Sequence, residues 1–438
     1  MKILVIGNGF DLAHYLPTSY NHFMGVMQAI EQLSDEKTEI GFEDLFGALA
    51  LDEKWFFGRT RELYAVESIK FDLDIIKDIK EKLKESSWYA YFKDHLVEID
   101  TWIDFETKIG EVLEVVSYLL NEFEKKKIEL GSFPSFEISE IKNGNNHCVF
   151  IERSKADLLR QFNFLVNKKS EENVKKSRSI SWAGIAKEPD WYELNPDFIA
   201  FYKKEIIGLK HQKVLDELKK DLNSFIEIFD TYFSAIIKKF SSRKPFVDLS
   251  NIFEGLIELY SFNYTSTFIT NYINYKELVQ VSYLHGQAGC IDKKIVLGIS
   301  ELPNNILKQH KAYGFVKYHQ KLFNDTDYSF LKEHHLLTKH KDPEAVYDIV
   351  SKLEIVIWGH SLDVSDQEYI KEIFSFNTKR HDDLYVEVVI LFHDESSKFS
   401  MLANLLHILG KKLIEKWMKR KWLLFEKVPD IYKLNTEI

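Results

Sequence analysis

KILVIGNGFDLAHYLP, residues 2–17, is the stretch whose reading decides the fold. The apolar residues Ile3, Leu4, Val5 and Ile6 run without alternation into a glycine pair, Gly7 and Gly9. An uninterrupted Val, Ile and Leu run is the pattern of a strand covered on both faces, whereas a half-solvated strand alternates. The stretch therefore reads as one strand of a parallel sheet, a tight turn and the start of a helix. Ligands collect at such strand ends. Gly7 permits the sharp exit, and Gly9 lets backbone N–H groups approach a phosphate with no Cβ in the way. The dinucleotide fingerprint asks for Gly or Ala three residues further on, where Leu12 stands, and for an acidic residue ending a second strand, where NHFMGVMQAI reads as helix. An ordinary dehydrogenase is disfavoured.

Further runs of strand length lie at 256–262, 279–284, 294–299, 355–358 and 385–392. Helical periodicity fills the space between, at 68–84, 105–127, 156–168 and 214–240. The last places Val214, Leu218, Leu222, Phe225, Phe229, Tyr232, Phe233 and Ile236 on one apolar stripe. The expected architecture is α/β, a mostly parallel sheet built from residues 1–30 and 250–438, with a mainly helical insertion at 31–249. Residues 138–190, with KNGNN and KKSEENVKKSRS, read as loops and solvated helix ends, and their lysines form the candidate basic patch.

The 438 residues allow more than one domain at the usual ~150 residues each. Apolar residues make up 45% and aromatics 14%, enough for a large core. A net charge of −10 argues against a general nucleic-acid coat, which needs clustered Lys and Arg. Cys148 and Cys290 are isolated and supply neither a disulfide framework nor a zinc knuckle. No run of ~18 apolar residues and no signal-peptide core is present, so the chain reads as soluble, cytoplasmic and not bound to membrane. His334, His335 and His340, with Glu333, match no familiar metal spacing, and no metal is expected.

Three further segments end strands in polar residues: LYSFNYTST at Asn263, YLHGQAG at His285 and Gly286, and WGHSLDVSD at Gly359, His360 and Ser361. If these belong to the sheet that holds Gly7, their side chains converge on one pocket. An amide such as Asn263 can orient water or a ribose without adding charge. A histidine, with its ordinary titration near ~6.5, can take a proton near neutral pH. Asp11 either caps the following helical turn or offers its carboxylate to ribose hydroxyls, a metal or a developing sugar cation. Trp102, Asp104 and Glu106 present an indole and two carboxylates, or Asp104 caps a helix with Glu106 in its first turn. Asp363 and Asp366 pose the same choice before the helix near Gln367.

GNGFDLAHYLPTSY, FNYTST, LHG, WGHSLDVSDQEY and the WIDFE piece together resemble the AbiH family of bacterial abortive-infection proteins. That resemblance implies an antiphage effector, with a phage-derived trigger or partner protein. The glycine loop with Pro17, the Asn263 turn, the His-Gly pair 22 residues later and the GHSLDV strand end also resemble sirtuins. The sirtuin likeness implies a Rossmann-like pocket that binds NAD as substrate and hydrolyses it to nicotinamide and ADP-ribose. It implies Asn263, His285 and Asp11 in catalysis, with Gly7, Asn8, Gly9, Phe10, Thr18, Gly286, Gly359, His360 and Ser361 holding the nucleotide. Thr265 replaces the family's Asp, Thr18, Ser19 and Tyr20 replace its Asp-Phe-Arg, and the zinc ribbon is absent. Two rivals remain: a nucleotide-sensing module without catalysis, and a metal-dependent nuclease using Asp11, Asp104 and Glu106. The aromatic-rich helix from Ser224 to Phe240 is a candidate for pairing in a homo-oligomer.

Overall fold

The computed structural model describes residues 1–99, 102–130, 135–137, 148–167, 191–203, 205–276, 278–292, 294–324, 330–331, 352–379 and 385–436. Apolar runs from the two ends of the chain meet in one sheet. In chain order its strands are β1 (Lys2–Ile6), β2 (Leu256–Ser261), β3 (Gln280–Tyr283), β4 (Lys352–Trp358), β5 (Tyr385–Phe392) and β6 (Leu423–Lys427). All neighbours pair in parallel, in the order β3-β2-β1-β4-β5-β6. This is the doubly wound, Rossmann-like order, whose winding reverses between β1 and β4. β1 lies at the centre, Leu4 opposite Leu259 on one side and Val356 on the other.

Both faces of the sheet are covered, as the non-alternating runs require. Leu4, Ile6, Val356, Trp358, Val389 and Leu391 belong to one hydrophobic cluster, and Ile3, Val5, Ile355, Ile357, Val388 and Ile390 to the other. Side chains alternate between the faces with a period of two. Ile3 to Ile6 are each at most 2% exposed, so burial of each contributes about 1.5–3 kcal/mol.

The helices that matter for the site are α1 (Asn8–Ala13), α2 (Tyr20–Gln32), α3 (Trp102–Leu130), α4 (His211–Thr231), α5 (Lys317–Phe323) and α6 (Gln367–Lys379); α7 (Glu395–Leu409) and α8 (Lys411–Lys419) complete the second face. α2 starts where the Ser19 side chain accepts the His22 N–H and the His22 ring accepts the Ser19 N–H, a capping box. The segment between α2 and β2 shares the first cluster with the sheet: Phe225 and Phe229 of α4 pack in it together with Leu4 and Ile6. It also carries small sheets, among them Trp191–Leu194 between Ser135–Glu137 and Leu165–Asn167.

Several local readings are corrected. Residues 294–299 form no strand of the sheet. Their backbone is bound irregularly, with Leu297 held in both directions by the Gln320 side chain and Ile299 exchanging hydrogen bonds with Phe315 and Lys317. β6 escaped notice because LLFEK carries two charges in its last two positions. The helix expected at 156–168 is Arg153–Gln161, followed by the strand Leu165–Asn167. The one expected at 68–84 is Leu73–Glu85, with Asp72 as its cap. The long stripe at 214–240 is regular only to Thr231 and then opens into a π-turn, Tyr232–Ile236. Such turns often mark functional sites, and here Tyr232 donates to the Pro17 carbonyl while Phe233 lines the cavity described below. Cys148–Phe150, Arg153–Gln161 and Leu165–Asn167 break the loop expected at 138–190. Its lysine-rich part, and Glu333, His334, His335 and His340, lie outside the described residues.

Candidate functional site

The carboxyl ends of β1, β2 and β4 and the turn after β3 enclose a cavity of about 250 Å³. Gly7, Asn8 and Asp11 line it from the first loop, Asn263 and Tyr264 from the second, His285 from the third, and Gly359, His360, Ser361 and Asp366 from the fourth. Glu106 of α3, Phe233 and Lys317 of α5 close it. Positions more than 250 apart in the sequence thus share one hollow, because β1 pairs with β2 and β4. Gly9, Phe10, Thr18 and Gly286 are not among its lining residues. Phe10 is fully buried against Trp358 and His14, and Thr18 is buried beside the Leu16 carbonyl.

The glycines do a different job from the one expected. A Cβ on Gly7 would lie 2.6 Å from the Gly359 carbonyl oxygen, one on Gly9 2.7 Å from the Gly359 Cα, and one on Gly359 2.1 Å from the Phe10 nitrogen. Two loops are packed backbone to backbone. Three N–H groups of this turn are spent inside the protein: Gly7 donates to Trp358 (3.0 Å), Gly9 to Gly359 (2.9 Å) and Phe10 to Gly7 (2.8 Å). Gly286, with φ +86°, makes room for the Lys294 carbonyl, which a Cβ would meet at 2.2 Å.

Asp11 does not cap α1, whose first residue follows Gly7 with no side-chain cap. Its Oδ2 accepts from the Thr265 hydroxyl (2.6 Å), and Thr267 donates to Thr265 (2.9 Å). Burial lifts the Asp11 carboxyl from 3.8 to about 6, against the lowering effect of Thr265, Thr267 and Asn263. Asp11 Oδ1, Glu106 Oε2 and both polar atoms of the Asn263 carboxamide are buried without a hydrogen-bond partner in the protein. Buried polar groups are seldom left so. These four atoms around one cavity require polar partners, water or ligand.

The third and fourth loops each supply one histidine of an anchored pair. The Leu362 N–H donates to His360 Nδ1 (2.9 Å), which leaves His360 Nε2–H to face Asp366 Oδ2 at 3.4 Å. His285 Nε2 meets the other oxygen of the same carboxylate at 3.2 Å. Burial would raise Asp366, but Lys317 and the two histidines outweigh it and hold the carboxylate well below its usual range. Burial and the Lys321 ammonium bring His285 down to about 3 against the pull of Asp366. Burial thus pulls the imidazole below the near-neutral range expected of it, toward the neutral form. Asp363 takes the capping role, accepting the Ser365 N–H (2.9 Å).

Opposite stands an ion pair that the sequence did not announce. Lys317 Nζ lies 2.5 Å from Glu106 Oε1, with both side chains buried. Burial raises the Glu106 carboxyl to about 7 despite Lys317. Burial works against the Lys317 charge, but Glu106 and Asp366 outweigh it and raise its pKa. Lys321, one turn on, donates to the Tyr369 hydroxyl, and burial lowers it to about 7. Glu106 was in view as a helix-start acid, Asp366 as a cap; Lys317 and Lys321 carried no signal, because KYHQKLF has the composition of a solvated helix. Trp102 has no described side chain. Asp104 is not among the cavity's lining residues.

Two predictions follow from this electrostatic arrangement. Lys317→Met leaves Glu106 buried beside Asp366 without a counter-charge and is expected to cost on the order of 3 kcal/mol. Urea unfolding should show Lys317→Met/Glu106→Leu recovering most of that loss, and a single variant within 1 kcal/mol of the parent would refute the pairing. For Asp11, the folded state binds the proton more tightly than the unfolded chain does, so stability falls as pH rises from about 4 to about 6. Asp11→Asn, which cannot ionise, should therefore match the parent near pH 4 and exceed it by up to ~3 kcal/mol above pH 6. A pH-independent difference would show that Asp11 is not the buried acid.

Among the described residues no three His, Cys, Asp or Glu side chains are grouped to hold a metal ion. Asp11, Asp104 and Glu106 therefore form no divalent-cation cluster of the kind the nuclease alternative needs. No helix among the described residues is long and apolar enough to cross a membrane.

A doubly wound parallel sheet with a cavity at its winding reversal defines a Rossmann-like α/β protein. The chain belongs to the bacteriophage abortive infection AbiH family, whose model matches residues 3–386, and this membership supports an antiphage abortive-infection role. No curated protein and no solved structure gives a significant match, and the likeness to sirtuins finds no support in these comparisons.

Proposed function

We propose that this chain is an abortive-infection effector that cleaves the bond between nicotinamide and ribose in NAD or a related nucleotide, releasing nicotinamide and ADP-ribose. What supports the reading most is the set of unpartnered buried atoms on Asp11, Asn263 and Glu106 around one strand-end cavity. In this reading the C1′–N bond breaks with its electron pair passing to the nicotinamide nitrogen, and water adds to the sugar cation. Asn263 orients the water or the ribose. Asp11 faces the cationic sugar and takes the proton that water gives up. A carboxyl lifted to about 6 is better matched to that task at neutral pH than an imidazole lowered to about 3, so the base role moves from His285 to Asp11. His285, tied to Asp366, positions the substrate as a neutral hydrogen-bonding group.

The cavity is below the ~300–1,000 Å³ that encloses a drug-sized ligand, so only the reacting end of the dinucleotide is enclosed. The test is incubation of purified protein with NAD and chromatographic measurement of nicotinamide. Release at a rate that depends on protein concentration is expected. Unchanged NAD recovered from a saturated complex would replace the hydrolase with a nucleotide sensor, and absence of binding would end the reading.

A further inference from the structure

We propose that the group this cavity recognises is a cationic N-riboside and that phosphate makes little contribution, so that the minimal substrate is the pyridinium riboside alone. The inference rests on the reading of the cavity as a glycoside-cleaving site, and deepens it by naming the substrate class.

The balance of unpartnered atoms carries the argument. Among the unpartnered buried atoms on Asp11, Glu106 and Asn263, Asp11 Oδ1, Glu106 Oε2 and Asn263 Oδ1 are carboxylate or carbonyl oxygens, and Asn263 Nδ2 is the donor. A ligand that satisfies them must bring hydrogen-bond donors, as the hydroxyls of a ribose do. A phosphate brings only acceptors and negative charge, and near these oxygens it would be repelled. Three N–H groups of the glycine turn, a device that normally holds phosphate, are committed elsewhere. The Gly7, Gly9 and Phe10 N–H groups donate to Trp358, Gly359 and Gly7, and the Gly9 Cβ position is filled by the Gly359 backbone. Lys317 is the one Lys or Arg among the described lining residues, and Glu106 stands 2.5 Å from its ammonium. Three carboxyls, on Asp11, Glu106 and Asp366, line the cavity with that one ammonium, which favours a cation such as a pyridinium glycoside over a neutral nucleoside. In the reaction the C1′–N bond of the riboside breaks, its electrons neutralise the pyridinium nitrogen, and water supplies the hydroxyl that forms on C1′ and the proton that leaves.

The experiment compares kcat/KM of the full chain for NAD and for nicotinamide riboside, with adenosine as the neutral riboside and pyrophosphate as competitor. The riboside is expected within about tenfold of NAD, because little of the recognition lies in the remote phosphates. Adenosine should be inert, millimolar pyrophosphate should not inhibit, and Asp11→Asn should depress both substrates by the same factor. NAD turnover with an inert riboside, or with competitive inhibition by pyrophosphate, overturns this proposal and leaves the hydrolase reading standing. Riboside that binds by calorimetry without being cleaved keeps the recognition and removes the hydrolase. Failure of both NAD and the riboside to bind removes both.

Discussion

Asn263→Ala is expected to abolish nicotinamide release while leaving the protein folded and no less stable. The two halves of that expectation come from the same observation. The carboxamide contributes two buried polar atoms without a partner in the protein, and its backbone N–H is held separately by the Ser261 hydroxyl (3.1 Å). Truncation therefore removes a desolvation cost of about 1–3 kcal/mol and gives up only the pull of the carboxamide on the Asp11 carboxyl. The lost methylene and amide volume opens onto an existing cavity and offsets part of that gain. Catalysis, by contrast, loses the group that places water or ribose, and removal of one such preorganised contact typically costs 10²–10³ in kcat. Unfolding midpoints in urea together with initial rates on NAD separate the two effects. A variant that is destabilised by several kcal/mol, or one that keeps full activity, would show that Asn263 serves the fold and not the substrate.

Gly359→Ala should be the most damaging single methyl group in the sheet domain. Gly359 has φ +74°, and its added Cβ would lie 2.1 Å from the Phe10 nitrogen and 2.7 Å from the Gly9 Cα, which are backbone atoms that cannot turn aside. A cost of about 4 kcal/mol or more is expected, beyond the 1–3 kcal/mol of an unfavourable φ alone. Gly255 is the internal control: its φ is +76°, yet nothing lies within 4 Å of its Cβ position, so Gly255→Ala should show only the backbone part, roughly 1–2 kcal/mol. Equal losses at the two positions would mean that the loops after β1 and β4 are not in contact. Because those loops carry Asn8, Asp11, His360 and Asp366 into the cavity, the Gly359 variant should lose ligand binding together with stability.

The amino-acid sequence by itself determined that this is an α/β protein with a covered parallel sheet, and it marked Asp11, Asn263, His285 and the Gly359–Ser361 loop as strand-end residues. Continuous apolar runs and glycines at their ends are local signals, written in adjacent residues. Where the local signal was mixed the reading failed: the apolar stretch 294–299 satisfies its backbone through Gln320 and Phe315 instead of a ladder, and β6 hides behind its charges. Only the tertiary structure decided the surroundings of the marked residues. Burial, which depends on every neighbour at once, lifts Asp11, lowers His285 and brings Lys317 from an unremarked polar helix against Glu106 from the insertion. It also turned the glycine pair from an expected phosphate cradle into a contact between two loops whose strands, far apart in the chain, lie side by side in the sheet.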